Sequence, residues 1–237
     1  MLNKIKLEHI LFLDIETVPE VARFSDLPEA KQKLFAVKTQ YQRKDEINAE
    51  DFYERAGIWA EFGKIICISV GYFVPSEGHR SFRVKTFSGK EDDILLSFKK
   101  LLDGHFNRPE NLLCAHNGKE FDFPYIARRM IIHNISLPEK LNLFGKKPWE
   151  VAHLDTLELW KFGDFKHYTS LDLLTNILGI PSPKQGIDGS RVAEVYYGEK
   201  DLEKIIEYCE RDTVAVAQLL LRFNNMPLLE EQEIIHV

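Results

Sequence analysis

The stretch LFLDIETVP, residues 11–19, places Asp14 and Glu16 directly behind the apolar run Ile10, Leu11, Phe12 and Leu13. Four apolar residues in succession predict a buried strand over residues 8–15, and such a strand ordinarily ends in a turn rather than in two acids. Residues two apart in a strand point to the same face, so these carboxylates would lie a few ångströms apart and repel each other. A shared proton, an arginine or a divalent cation has to offset that repulsion. Whatever this chain folds into must supply one of the three at the end of its first strand.

The other segments give an α/β order. KIICISVGYF (64–73) and SFRVKTFS (81–88) read as two further strands, joined by VPSEGH (74–79) with its Pro and Gly. GKEDDILLSFKKLLDG (89–104) predicts a helix with acids in its first turn, lysines near its end and Gly104 as its stop. NLLCAHN (111–117) reads as a short buried strand, followed by a helix from about Asp122 to Asn134. HLDTLELWKF (153–162) gives a brief strand and a helical turn or two; SLDLLTNILGI (170–180) is a helix capped by Ser170 and stopped by Gly179. Ser190 is expected to cap another short helix, and residues 201–222 to form the last long one. This order implies a mixed five-stranded sheet, antiparallel at its start and parallel at its finish, flanked by helices, which is the order of a ribonuclease H-like core. Residues 20–62 are longer than an ordinary connection. They are rich in charge and have helical spacing (Leu34, Val37, Tyr41; Phe52, Ala56, Trp59), so a helical insertion after the first strand is expected within a single domain over 1–237.

A formal net charge of −6 argues against nonspecific coating of nucleic acid, which usually needs a basic domain, but leaves room for a local basic groove. The three cysteines, Cys67, Cys114 and Cys209, are odd in number and widely spaced, which suits reduced thiols and a cytoplasmic protein. The apolar run before Asp14 is too short for a signal peptide, and no stretch approaches a membrane span.

Two further segments bear on the acid pair. CAHNGKEFDFPY (114–125) places Asp122 shortly after a buried strand, where strand-end loops gather ligands. EYCERDTVAV (207–216) places Tyr208 and Asp212 four residues apart, hence on one face of a helix that packs on the core. Oxygen ligands from Asp14, Glu16, Asp122 and Asp212, with no His or Cys companion, suit Mg²⁺ or Mn²⁺ better than Zn²⁺. Such a set can hold two ions roughly 4 Å apart, stabilising the attacking and leaving oxygens of a phosphodiester. Tyr208 is then placed to orient the attacking water.

At these residues the chain resembles the DEDD group of 3′–5′ exonucleases. DIET (14–17) is similar to the first motif of that group, NGKEFD (117–122) to the second and YCERD (208–212) to the third. The third motif has a tyrosine four residues before its Asp, which marks the DEDDy version; the position that would carry a His in the sister version is Glu207. HNGKEFDFPYIARR most resembles stand-alone predicted exonucleases related to the proofreading domain of family B DNA polymerases. The resemblance implies a ribonuclease H-like fold and two Mg²⁺ or Mn²⁺ ions on Asp14, Glu16, Asp122 and Asp212, with Tyr208 also catalytic. It implies Thr17, Asn117 and Phe121 at the substrate, which would be a nucleic-acid 3′ end, single-stranded DNA being favoured over RNA. Phe121 could instead be core, although the resemblance favours its stacking on or wedging the terminal base pair, and Asn117 could simply close a turn. An oligoribonuclease-like activity and a catalytically silent nucleic-acid-binding module are the alternatives. His116 and His153 read as structural and Asp155 as a supporting acid. Lys146, Lys147, Lys161, Lys166 and His167 form a loosely basic region, and KQGIDGSRV (184–192) reads first as an ordinary loop entering a helix.

Overall fold

The computed structural model describes residues 5–43, 47–76, 79–164, 168–181, 187 and 189–237. Lys166, His167 and most of the loop before Gly189 therefore lie outside the described residues. The strands are β1 (Ile10–Pro19), β2 (Gly63–Ser76), β3 (His79–Ser88), β4 (Leu112–Ala115), β5 (Leu154–Asp155) and β6 (Ile234–His236). They form one sheet in the order β5-β4-β1-β2-β3-β6. β1, β2 and β3 pair antiparallel in succession, while β4 runs parallel to β1, β5 to β4 and β6 to β3. The sheet thus has six strands where the sequence predicts five. The extra edge strand, β6, is pinned by Arg80, whose guanidinium bonds to Glu233 and to the carbonyls of Pro227 and Leu228.

β1 is longer than the predicted 8–15. It continues in register with β2 as far as Pro19 opposite Gly63, so Asp14 and Glu16 sit inside a paired strand and not beyond its end. Between Glu16 and Thr17 the register shifts, because Ile66 on β2 is an extra residue. The bulge explains why Ile66 and Cys67 both reach one face of the sheet and Ile65 and Ile68 both reach the other.

The odd residues of β1, Leu11, Leu13 and Ile15, pack into a core with Ile94, Leu95 and Phe98 of α2 (Glu91–His105) and Phe123, Ile126 and Met130 of α3 (Asp122–Ile132). Gly104 lies inside α2, which ends one residue later. The opposite face is covered by the last helix (Leu202–Phe223), whose buried residues recur as Ile205, Tyr208, Cys209, Asp212, Ala215, Val216, Leu219 and Leu220. Asp201 caps it by accepting the Lys204 N–H (3.0 Å). Ser170 caps its own helix as expected, whereas Ser190 lies inside a 3₁₀ turn, Gly189–Arg191.

Between β1 and β2 stand α1 (Glu29–Thr39) and a 3₁₀ segment, Asp51–Ile58, around a small core of Leu27, Phe35, Phe52, Tyr53, Ala56 and Phe62. Phe52 and Ala56 are buried as expected. On α1 the packed residues are Phe35 and Thr39, while Leu34 and Val37, and Tyr41 in the turn after the helix, are exposed, the reverse of the expected face. Phe35 wins because its ring meets four others, Phe24, Tyr53, Trp59 and Phe62, at centroid distances of 5.2–6.0 Å. The insertion rests on β1 through Gly57, whose carbonyl accepts from the hydroxyls of Thr17 (2.9 Å) and Tyr125 (2.8 Å). A Cβ at Gly57 would come within 3.1 Å of the Val18 backbone, so this approach needs glycine. Arg129 closes the other end, donating to the Ala60 carbonyl (2.8 Å) and pairing with Glu91.

Candidate active site

The face of the sheet under the last helix carries two separate apolar clusters. Ile10 and Phe12 of β1 pack with Val216, Ala217 and Leu220 in one, and Val18 packs with Ile205, Tyr208 and Cys209 in the other. On β1, Asp14 and Glu16 fall between them; on the helix, Asp212 does, at a position where the 3.6-residue period calls for an apolar side chain. The acids therefore occupy the break in an otherwise dry interface. Glu16 and Asp212 are buried and Asp14 is half-buried. Asp122 reaches the same place from the start of α3, after the loop leaving β4, whose carboxyl end lies beside that of its parallel neighbour β5. It is buried.

The electrostatics follow from this crowding. Burial first, then the charges of Asp212 and Asp122, hold the Asp14 carboxyl well above the usual range. Glu16 is likewise raised by burial and then by Asp14. Asp122 is pushed up to about 8, chiefly by burial, with Asp155 and Asp212 adding to it and the nearby backbone of Asp122 and Ile15 opposing it. Each acid thus disfavours ionisation of the others, the condition that a bound cation reverses. Ligand atoms of Asp14, Glu16 and Cys209 lie within 4.8 Å of one another, close enough to share one ion. The donor set is mainly carboxylate oxygen, which fits Mg²⁺ or Mn²⁺. The Cys209 thiol is held protonated by burial and by Cys67, and it donates to Asp14 at Oδ2 (3.3 Å) and at the carbonyl (3.4 Å). Sequence reading missed this contact.

Tyr208 is buried, one helical turn from Asp212 on the same face of the helix. Burial and the charges of Asp212, Glu16 and Asp14 raise its pKa far above the usual range for tyrosine, so the phenol stays protonated.

Asp155, 2% exposed, organises the loop between β4 and α3. Its carboxylate accepts the backbone N–H groups of Asn117 (3.0 Å) and Lys119 (3.1 Å), and those of Leu157 (2.9 Å) and Glu158 (3.3 Å) at the start of α4 (Thr156–Lys161). Asn117 accordingly adopts a left-handed backbone (φ 64°), tolerated by Asn better than by most residues. Phe121 is half-buried, packed against the α2–α3 core and 5.3 Å from the Tyr125 ring. Thr17 commits its hydroxyl to Gly57. His116 bonds to Thr156 and to the Thr169 carbonyl, and His153 to Leu113 N–H and the Lys140 carbonyl, so both histidines tie backbone segments together. Lys146 and Lys147 are exposed on the loop before β5.

Among the described residues, no helix is long and apolar enough to cross a membrane. A comparison with curated proteins gives no match. The fold is similar to that of the family B DNA polymerase from the hyperthermophilic archaeon Pyrobaculum calidifontis, with a TM-score of 0.54 at 16% identity over 90% of this chain. That match spans only 24% of the polymerase, so the likeness is to one part of it and concerns the fold. A family model matches residues 58–233, a span that holds Asp122, Tyr208 and Asp212 and leaves Asp14 and Glu16 to be brought in by β1. The chain belongs to the family of predicted 3′–5′ exonucleases related to the exonuclease domain of PolB.

Proposed function

We propose that this protein is a metal-dependent 3′–5′ exonuclease that shortens single-stranded or frayed nucleic acid, DNA in preference to RNA, and releases 5′-mononucleotides. The observation that carries the reading is the crowding of Asp14, Glu16, Asp122 and Asp212, from one strand and two helices, whose charges raise one another's carboxyl pKa values. Those four carboxylates would hold two Mg²⁺ or Mn²⁺ ions. Bound there, the ions would supply a water acidified toward neutrality and counter-charge for the leaving 3′ oxygen. Tyr208, one helical turn from Asp212, would hydrogen-bond the attacking water and fix that water's orientation. Asn117 and Phe121 border the loop that carries Asp122 and are assigned to the terminal nucleotides; Thr17, held by Gly57, fixes β1 next to Glu16 and is assigned to the substrate as well. The same reading treats residues 1–237 as one domain, with 20–62 as an insertion beside the site.

The test is a 5′-labelled single strand incubated with Mg²⁺ or Mn²⁺. A ladder that shortens one nucleotide at a time from the 3′ end, and is lost in Asp122→Ala and Asp212→Ala, supports the reading. Activity confined to two- to five-residue RNA would indicate the oligoribonuclease-like alternative, and a mobility shift with no shortening would indicate a silent binding module.

A further inference from the structure

Between α3 and β5 the chain makes a loop that the catalytic reading leaves unused. Its root is fixed. Leu141 is buried, His153 donates to the Lys140 carbonyl (2.7 Å), and the Lys140 ammonium donates to the carbonyls of Arg108 (2.5 Å) and Asn111 (2.7 Å). Its tip faces solvent from Phe144 to Glu150, with Phe144 75% and Trp149 77% exposed. The tip backbone is nonetheless organised. Lys146 N–H bonds to the Leu143 carbonyl (3.1 Å) across Gly145, whose φ of +70° suits glycine, and Glu150 accepts the Lys147 N–H (2.8 Å) over a 3₁₀ turn begun by Pro148.

Two large aromatics thus stand in water on a preorganised turn, interleaved with two lysines. Lys147 Nζ lies 5.3 Å from the Trp149 ring centroid, and no carboxylate pairs with Lys146 or Lys147 among the described residues. The one acid at the tip, Glu150, is turned onto a backbone amide. In a chain of net charge −6, this local excess of positive charge is a distinct feature. The loop's root is tied toward the site: the His153 ring that holds the Lys140 carbonyl stands two residues before Asp155, whose carboxylate accepts the Lys119 amide in the loop before Asp122. Tyr168, 69% exposed, immediately precedes Thr169, whose carbonyl is held by His116 in the loop that leaves β4.

We propose that this turn, together with Tyr168, is a stacking platform for the unpaired strand that leads into the site: Phe144 and Trp149 take bases, and Lys146 and Lys147 take phosphates. Alternating π-faces and cations match a single strand, whose bases are free to unstack, and do not match a duplex, whose bases are already stacked and shielded. The inference rests on the exonuclease reading and names its substrate as single-stranded.

The test is fluorescence anisotropy of the full chain with fluorescein-labelled dT12, dT3 and a 12-base-pair duplex, in chelator so that nothing is hydrolysed. Wild type should bind dT12 more tightly than the duplex. Trp149→Ala should weaken dT12 about ten-fold, with a smaller loss for dT3 and near-recovery in Trp149→Phe, in keeping with base–aromatic stacking. Lys146→Gln with Lys147→Gln should lower the slope of log affinity against log salt by about 1.4, or roughly 0.7 for each phosphate contact. Equal binding of duplex and single strand, an unchanged salt slope, or a Trp149→Ala chain that binds dT12 normally but loses a dimer in sedimentation would overturn the proposal. These losses in a chain that hydrolyses no strand with any divalent cation would sink the exonuclease reading and leave the platform standing.

Discussion

Replacing Asp155 by Ala removes the acceptor of four backbone N–H groups, those of Asn117, Lys119, Leu157 and Glu158. Hydrogen bonds to a charged group are each worth about 1.5–3 kcal/mol, but the four share one carboxylate and do not add. The pair at the start of α4 amounts to a helix cap, about 1–2 kcal/mol. The pair in the loop before Asp122 holds Asn117 in its left-handed conformation, and losing it should cost about 2 kcal/mol after water has refilled part of the gap. The expected total is about 4 kcal/mol, or roughly a 10 °C fall in Tm for a domain of this size. Asp155→Asn keeps an oxygen for Asn117, Leu157 and Glu158, which all bond to Oδ1, and turns an amide group toward Lys119 N–H, so it should cost only about half as much. Urea unfolding gives both values, provided the m-value holds. Metal-dependent cleavage should fall in the same order, because the loop positions Asp122. An Asp155→Ala chain within about 1 kcal/mol of wild type would refute the view that this carboxylate organises the loop.

Other perturbations test other parts of the account. Tyr208→Phe should keep metal affinity in calorimetry while slowing single-turnover cleavage by about 10- to 1000-fold, the range of a lost positioning contact; lost metal binding would make Tyr208 structural. The His153 pKa is lowered to about 4, chiefly by burial, below the ordinary 6.5. The unfolded chain therefore binds the extra proton between those values, and the stability that neutral His153 contributes is present above pH 6.5 and lost as pH falls toward 4. The loss should approach 3 kcal/mol, read as urea stability of wild type minus His153→Gln at pH 7 and pH 4.5, and no difference between the two pH values would contradict it. Replacing residues 20–62 by a short linker should change the preferred substrate length more than the pH profile of cleavage; unchanged preferences would make the segment a stability element.

Much of the site was legible because local rules determine it. The acids behind an apolar run, and Asp212 one turn from Tyr208, are read from periods of 2 and 3.6 residues, and the fold keeps both. What escaped depends on contacts between segments far apart in sequence. Cys209 reaches Asp14 because the last helix crosses β1, which no local spacing reveals. In and just after α1, Leu34, Val37 and Tyr41 have as good a helical spacing in the sequence as Phe35 and Thr39, and only the ring pocket of the insertion decides between them. β6 is three residues long and owes its place to Arg80, more than 150 positions away from Glu233. The extension of β1 past its acids likewise depends on pairing with β2.

The central claim is that Asp14, Glu16, Asp122 and Asp212 form one site for two divalent ions. The most direct measurement is a Mn²⁺ titration of the chain, followed by electron paramagnetic resonance at increasing ion ratios. The account predicts about two ions bound per chain, with spin coupling between them as expected for ions roughly 4 Å apart, and loss of that coupling in Asp14→Ala and in Asp212→Ala. Binding of no ion, or a coupled pair that survives both substitutions, would contradict it.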